Sequence, residues 1–302
     1  AEFIRRSPPI GKTKGASVSA DAISSYVSAI HLLRSREARY DVCPTANSLI
    51  APLAAKQMRR EDGPAGARRL CRALRLEHLA AAASAFEYLS GQGAVEWAAV
   101  LTAHAALLRG GEVGAPDTVE PDAARIITGR SVRWQRARAE SLQRLWLVLM
   151  VVPIKDVNAK HKPYPTPIAR RHDGPFGADP LCTYDALARV WWQRRARGAA
   201  FPVDADGRPL DEWWTRVGRS AAGLEDAPVF TNSIGLVMRT ADVRVLARRV
   251  ATAAGVDPEE AGAKSFRAGG ATDWRECLGD ASAHVVKQRG RWESDVALVY
   301  QR

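Results

Sequence analysis

The stretch of sequence that decides the fold lies near the end of the chain and reads GAKSFRAGGAT at residues 262–272 and GRWESDVALVY at residues 290–300. Its first half carries a basic pair spaced as Lys-x-x-Arg, Lys264 and Arg267, followed by small residues that predict close packing of a helix against its neighbour. Its second half carries Trp292 and, eight residues later, Tyr300. A phenol accompanied by several cations suits the attack of a tyrosine oxygen on a DNA phosphate.

Composition bounds the class of protein. The chain has 302 residues, which is long enough for two domains with separate cores. Its apolar content of 46% and its charged content of 25% are ordinary for a globular protein. The net charge of +11 and the isoelectric point of about 9.9 favour a polyanionic partner, nucleic acid before a membrane surface. The alternative is a basic protein that has no such partner.

Cysteine use and hydropathy argue against several other classes. The cysteines lie far apart, without a CxxC pair or a histidine at zinc-finger spacing, so we expect neither a disulfide framework nor a zinc site. The longest apolar run, Leu145 to Val152, is too short to cross a bilayer, and the N-terminus lacks the apolar core of a signal peptide. We therefore expect an intracellular protein, in the nucleus or the cytoplasm, with no membrane contact.

Changes in composition along the sequence divide the chain into three parts. Residues 1–16 are polar and basic and carry proline and glycine, which predicts a disordered tail. Residues 17–66 predict a small helical domain that ends in a linker containing glycine and proline. Residues 67–302 predict a second, larger domain.

The sequence of the larger domain predicts helices, then a small antiparallel sheet, then helices again. Helices are predicted at residues 76–89, 94–108, 183–197 and 240–253, and strands at residues 125–128, 131–134, 145–152 and 164–168. The strands are marked by β-branched and aromatic residues, and the prolines of the last one suit a sheet edge. Residues 155–158 predict the hairpin turn before it. This order of elements predicts the α+β class.

A second charged motif, LLRGGEV at residues 107–113, follows a helix that is predicted to be buried. An arginine at the end of an apolar helix can be held rigidly, and its guanidinium matches two phosphate oxygens at once, which a lysine cannot do. Arg109 is therefore a candidate for binding a phosphate, and Glu112, three residues later, is a candidate for orienting the site rather than for carrying a proton. The alternative for Arg109 is an ordinary cation that stabilises a helix end.

Together, the two motifs resemble the signature boxes of the tyrosine recombinases, also called phage-type integrases. Arg109 and Glu112 match the first box, and Lys264, Arg267, Trp292 and Tyr300 match the second. The resemblance covers residues 69–302, and the sequences of the motifs are most similar to those of members encoded by eukaryotic mobile elements. It implies a C-shaped clamp around duplex DNA, with a core-binding domain at residues 17–66, short for the family, and a catalytic domain at residues 67–302.

The resemblance also implies roles for these residues. Tyr300 is the nucleophile that forms a 3′-phosphotyrosine, while Arg109 and Arg267 clamp the phosphate. Trp292 donates its indole N–H to a phosphate oxygen. Lys264 stands where many members have histidine, and it either accepts the tyrosine proton or only stabilises charge. Neither a metal nor a cofactor is implied, because fixed positive charge stabilises the transition state.

The resemblance also implies a general acid, a lysine in the hairpin of the small sheet. Lys155 stands where the family carries its hairpin lysine, which protonates the leaving 5′-oxygen. Lys160, His161 and Lys162 are close by in sequence, so the choice of lysine stays open. The structural alternative is a solvated lysine that protects a sheet edge.

The implied partner is double-stranded DNA, bound by a homodimer or homotetramer on paired sites. The predicted DNA contacts are Arg68, Arg69 and Arg72, which precede the first box, and Arg291 within the second. The basic run at the first three is otherwise a solvated helix face. Two rival functions are a type IB topoisomerase, which religates the same strand, and a catalytically inactive DNA-binding relic of a mobile element.

Overall fold

A computed structural model describes most of the larger predicted domain. The described residues are 71–117, 120–121, 126–136, 145–151, 163–196, 199–217, 225–279 and 283–292. They all belong to one compact unit, Cys71–Arg302. The predicted tail, the predicted N-terminal helical domain and the predicted hairpin turn at 155–158 lie outside the described residues. Among the described helices, none is both long and apolar enough to pass through a bilayer.

A three-stranded antiparallel sheet forms the β part of the fold. Its strands are β1 (Val132–Arg136), β2 (Leu145–Val151) and β3 (Tyr164–Ala169), in the order β1-β2-β3. The central strand β2 is the apolar run of the sequence, and alternate residues of it are buried. Pro165 and Pro167 face solvent on the edge strand β3, as predicted, since an edge strand tolerates residues that lack an N–H donor.

Seven helices are found among the described residues, on both sides of the sheet in sequence. They are α1 (Leu76–Ala82), α2 (Gly91–Ala105), α3 (Gly110–Val113), α4 (Thr183–Arg195), α5 (Thr240–Ala253), α6 (Ser265–Leu278) and α7 (Ala283–Gly290). The almost wholly buried helix α2 is central and packs against α4, α5 and α6. The prediction of an α+β class, with a small antiparallel sheet among helices, is confirmed.

The first two predicted helices have different bounds in the structure. The helix predicted at 76–89 ends at Ala82 and continues only as a 3₁₀ turn, because the chain becomes extended at Phe86 and turns that ring onto Trp97 of α2, 4.9 Å between centroids. The second helix begins at Gly91 rather than at residue 94. Gly91 adopts φ +56°, a value that suits glycine and turns the chain into α2.

The prediction of a strand at residues 125–128 is wrong for residues 126–128, which the structure describes. Thr128 makes only an isolated bridge to Pro228, and a 3₁₀ turn, Gly129–Ser131, separates it from β1. The N–H group of Arg130 donates to the carbonyl of Glu225, so the backbone bonds a loop there instead of extending the sheet. Thr128 itself is extended, as its β-propensity predicts, but the pairing partner decided the element.

Glycines in α6 bring this helix into backbone contact with its neighbours. A Cβ added to Gly269 would lie 1.8 Å from the carbonyl oxygen of Leu74, and one added to Gly270 would lie 2.2 Å from that of His104. The close packing that the small residues predict is therefore present on two sides of the helix. It places α6, which carries Arg267, directly against the end of α2.

This packing predicts that Gly269→Ala destabilises the protein. Alanine favours a helix by about 1 kcal/mol over glycine, but the added Cβ forces two backbones apart, so we expect a net loss of about 1–3 kcal/mol in the free energy of unfolding. Urea denaturation measures it. The control Cys277→Ala, at an exposed position of the same helix, should change stability by less than about 0.5 kcal/mol. Equal stability of the two variants would contradict the close approach.

Candidate active site

The candidate site begins where α2 ends. Leu107 is fully buried and adopts φ +50°, which turns the chain sharply after the helix. Arg109 then caps the short helix α3, and Glu112 lies in its first turn. The Glu112 carboxylate accepts the backbone N–H of Arg109 at Oε2 and its Nη1 at Oε1, both at 2.8 Å. This double contact fits the predicted role of Glu112 as a residue that orients the site.

The segment that carries Arg109 lies against the start of α6. A Cβ added to Gly110 would lie 2.6 Å from the Cβ of Ala263, so these two turns touch. The next residue, Lys264, caps α6 and its side chain is exposed to solvent. The structure therefore brings the beginning of the second box next to the first.

Arg267 connects three segments from the first turn of α6. Its side chain is only 4% exposed, and its Nη1 donates to the carbonyl of Leu107 at 3.1 Å and lies 4.0 Å from Glu112 Oε2. Its Nη2 donates to the carbonyl of Gly290. Its Cζ lies 4.1 Å from the ring centroid of Trp292, a cation–π contact. Arg109 and Arg267 are thus held at one buried carboxylate, and Trp292 packs on the second of these arginines.

The turn that carries Trp292 is a Schellman motif at the end of α7. The Trp292 N–H donates to the carbonyl of Lys287 and the Arg291 N–H to that of Gln288, both at 3.0 Å. A Cβ added to Gly290 would lie 1.8 Å from Cζ3 of Trp292, so glycine is needed for the indole to fold back here. Arg291 occupies the left-handed position of the motif, at φ +57°.

The side chain of Arg291 points into the site. Its Nη2 donates to Glu112 Oε2 at 2.7 Å and to the carbonyl of Leu107 at 3.2 Å, and the side chain is 5% exposed. The sequence predicted Arg291 as a DNA contact and did not anticipate this partner. The place of Arg291 in the sequence, one residue before Trp292, does not indicate the direction of its side chain.

Arginines also bind the last carbonyls of α2, which carry the negative end of the helix dipole. Arg289 Nε donates to Ala105 at 2.9 Å, and Arg291 Nη1 lies 3.4 Å from the carbonyl of Ala106. Burial, together with the charge of Arg291, lowers the pKa of Arg289 to about 10. Sequence reasoning missed Arg289, since nothing in its spacing separates it from an ordinary helix-end cation.

A second carboxylate ties α6 to the end of α2. Asp273 accepts hydrogen bonds from Arg75 Nε at 2.9 Å and from the N–H of Leu76 at 2.6 Å, and its Oδ2 lies 2.9 Å from His104 Nε2. Burial alone would raise the pKa of Asp273, but the bonds to His104, Arg75 and Leu76 together lower it below its usual value. This ionised carboxylate fixes the helix on which Arg267 stands.

The predicted site residues fall into three groups. Those brought together are Arg109, Glu112, Lys264, Arg267, Trp292 and Arg291. Arg72 is exposed and its backbone N–H donates to the carbonyl of Glu260; within the described part of the chain, no contact joins its side chain to this cluster. Lys155, Tyr300, Arg68 and Arg69 lie outside the described residues, so their roles remain predictions.

One grouping of possible metal ligands lies elsewhere, at His172, Cys182 and Asp185. Both oxygens of Asp185 already accept from the guanidinium of Arg170, at 2.7 and 3.2 Å, and one also accepts from the N–H of Gly177. Burial raises the pKa of the Cys182 thiol to about 12, which disfavours the thiolate that a metal would need. These donors favour a buried ion pair over a metal centre.

The chain was compared with protein families, with curated protein sequences and with solved structures. No protein-family model matches the chain, and no curated protein sequence matches it. A solved structure of the XerH site-specific recombinase bound to difH substrate, a pre-cleavage complex, has a TM-score of 0.46 at 11% identity, over 100% of this chain and 72% of that chain. Its post-cleavage complex with palindromic difH scores 0.44 at 12% identity, over 95% and 67%.

A third similar structure is the Tn1549 transposon integrase in complex with transposon right end DNA. It has a TM-score of 0.40 at 14% identity, over 98% of this chain and 84% of that chain. The structural neighbours are therefore recombinases and an integrase, and they give no support to the likeness to eukaryotic mobile elements.

The network around Asp273 predicts a specific pH dependence of stability. Because its folded-state pKa is lowered, Asp273 contributes stability that is complete above the ordinary value of 3.8 and is lost as the pH falls through the folded-state pKa. Asp273→Asn should cost about 1–3 kcal/mol at pH 7. The difference from wild type, measured by urea denaturation, should shrink below about pH 4.

The exposed Asp206, which pairs only with a neighbouring arginine at the surface, supplies the control. Asp206→Asn should change stability by less than about 0.5 kcal/mol across the same pH range. A difference between Asp273→Asn and wild type that stays constant down to pH 3 would contradict the assignment of an ionised Asp273.

Proposed function

We propose that this chain is a tyrosine recombinase that breaks and rejoins double-stranded DNA without a metal. The observation that carries the proposal is the meeting of Arg109 and Arg267 at the buried carboxylate of Glu112. Trp292 lies against the second of these arginines. Two guanidinium groups and an indole N–H, held rigidly by distant parts of the sequence, can donate hydrogen bonds to the oxygens of one phosphate.

The proposed reaction is a transesterification at phosphorus. The Tyr300 oxygen forms a bond to the phosphorus while the bond to the 5′-oxygen breaks, which leaves a 3′-phosphotyrosine and a 5′-hydroxyl. Arg109 and Arg267 stabilise the charge of the pentacovalent transition state. Lys155 protonates the leaving 5′-oxygen. The phenol proton passes to Lys264 if that exposed amine is neutral; if Lys264 is protonated, it stabilises charge and a water molecule takes the proton.

The second half of the proposed cycle reverses the first with a different strand. A 5′-hydroxyl from the partner duplex attacks the phosphotyrosine and releases Tyr300, so one phosphodiester bond is exchanged for another and no ATP is needed. Strand exchange of this kind requires two or four copies of the chain on paired sites. The net charge of +11 favours the DNA partner.

The proposal predicts a covalent protein–DNA adduct that depends on Tyr300. The substrate is a labelled pool of duplexes with randomised sequence, each nicked so that a cleaved fragment with a 5′-hydroxyl is lost and the adduct cannot be reversed. Wild type should give a band shifted on a denaturing gel, and Tyr300→Phe should give none, because it lacks the attacking oxygen. Sequencing the DNA in the band identifies the target site.

The matched control is Tyr88→Phe, which removes a hydroxyl from a half-buried tyrosine and should leave the adduct unchanged. An adduct that persists in Tyr300→Phe would place the nucleophile elsewhere. No adduct from wild type would favour the DNA-binding relic. If an adduct forms, recombinant products on paired sites support the recombinase, whereas plasmid relaxation without such products supports a type IB topoisomerase.

A chemical substitution in the DNA tests the general acid. Lys155→Ala should slow adduct formation by about 10²–10⁴-fold on normal DNA. It should recover most of the rate when sulfur replaces the bridging 5′-oxygen, because a thiolate leaves without protonation. Lys160→Ala and Lys162→Ala serve as matched variants. Recovery in one of these instead of in Lys155→Ala would move the role to that lysine.

A further inference from the structure

The backbone of Arg291 adopts a conformation that arginine rarely takes. It occupies the left-handed position of the Schellman motif at φ +57°, where glycine is the usual residue because it has no Cβ to clash. The described residues hold three non-glycine residues at positive φ, and two of them, Leu107 and Arg291, lie in the candidate site. Such strain persists where surrounding contacts impose it, and it gathers at functional sites.

Contacts of the guanidinium explain why the position holds arginine. Its Nη1 donates to the carbonyl of Arg289 at 3.0 Å and lies 3.4 Å from that of Ala106, while Nη2 donates to Leu107 and to Glu112. The side chain is 5% exposed. The Arg291 side chain is both buried and hydrogen-bonded to the Glu112 carboxylate, whereas Arg109 is 26% exposed and Arg267 Nη1 lies 4.0 Å from that carboxylate. The charge of Arg291 is therefore already paired inside the protein, which leaves it the least suited of the three arginines to bind a phosphate of DNA.

Glu112 transmits the effect of Arg291 to Arg109. Its Oε2 accepts from Arg291 at 2.7 Å and from the backbone of Arg109 at 2.8 Å, while its Oε1 accepts from the Arg109 side chain. The carboxylate is fully buried, whereas the side chain of Arg109 remains 26% exposed. Arg291 therefore fixes the plane of the carboxylate from within, and the carboxylate fixes the arginine that faces outward.

We propose that Arg291 is a positioning residue of the active site, which acts through Glu112 on Arg109, and not a contact to DNA. The proposal rests on the function proposed above. It predicts that loss of the guanidinium slows formation of the phosphotyrosine adduct and leaves the affinity for DNA unchanged. A direct phosphate contact would instead contribute to affinity and to its salt dependence.

Arg291→Gly is a suitable test, because glycine keeps or favours the left-handed turn and removes only the side chain. We expect the rate of adduct formation on the recovered target site to fall about 10²-fold, as for a small misplacement of a catalytic group. The Kd for the same DNA, and the slope of log Kd against log salt concentration, should match those of wild type. Tyr300→Phe versions of both proteins allow binding to be measured without cleavage.

The matched control is Glu212→Gly, which relieves the third positive φ, +52°, at an exposed position far from the site in sequence. This variant should cleave DNA at the wild-type rate. Arg291→Lys gives a second test, because lysine keeps the positive charge but cannot donate two parallel hydrogen bonds as a guanidinium does. If Arg291→Gly does not fold, Arg291→Lys tests the proposal alone. It should also lose rate while it binds DNA normally.

A double substitution tests whether the effect passes through Glu112. In a Glu112→Gln background, Arg291→Gly should cost much less rate than it does in wild type, because the carboxylate that it positions is already gone.

Each outcome separates this proposal from the function on which it rests. A wild-type rate in Arg291→Gly or Arg291→Lys would overturn the proposal while the recombinase function stands. Weaker binding with a salt slope reduced by about one would make Arg291 a phosphate contact. Equal losses from Arg291→Gly in the two backgrounds would show that it does not act through Glu112. Absence of an adduct from wild type would overturn both the function and the proposal.

Discussion

The described structure depends on one buried carboxylate, that of Glu112. A charge this deeply buried is stable only when it is paired and hydrogen-bonded. Its donors come from separate segments, Arg109 from its own helix and Arg291 from the turn after α7, while Arg267 of α6 lies 4.0 Å away. The need to satisfy one carboxylate therefore brings together the parts of the chain that carry the two sequence motifs.

The end of α2 supplies the second part of this arrangement. Its last carbonyl, that of Ala105, accepts a hydrogen bond from Arg289, and the carbonyl of Leu107, two residues later, accepts from Arg267 and Arg291. Gly269 and Gly270 let α6 approach closely enough for these bonds to form. Backbone packing and electrostatics thus favour the same geometry, which explains how several guanidinium groups can be held within a small volume.

Sequence predicted the α+β class and the edge strand well, because periodicity and proline placement report directly on burial and pairing. It also predicted that Glu112 orients the site, which stays a prediction, and the structure adds that this carboxylate contacts both the backbone and the side chain of Arg109. It failed at the end of the helix predicted over 76–89, where packing of Phe86 overrode helix propensity. It did not reveal that Arg291 bonds to the buried Glu112, because the spacing of a residue within a motif does not report the direction of its side chain.

The central claim is that the cluster around Glu112 is a phosphate site. A crystal structure of the Tyr300→Phe variant with its duplex target tests it most directly. The account predicts one backbone phosphate within hydrogen-bonding distance of both Arg109 and Arg267, with Arg291 still bonded to Glu112. A duplex bound on another face, or a phosphate held by Arg291 while Arg109 and Arg267 remain apart from the DNA, would contradict it.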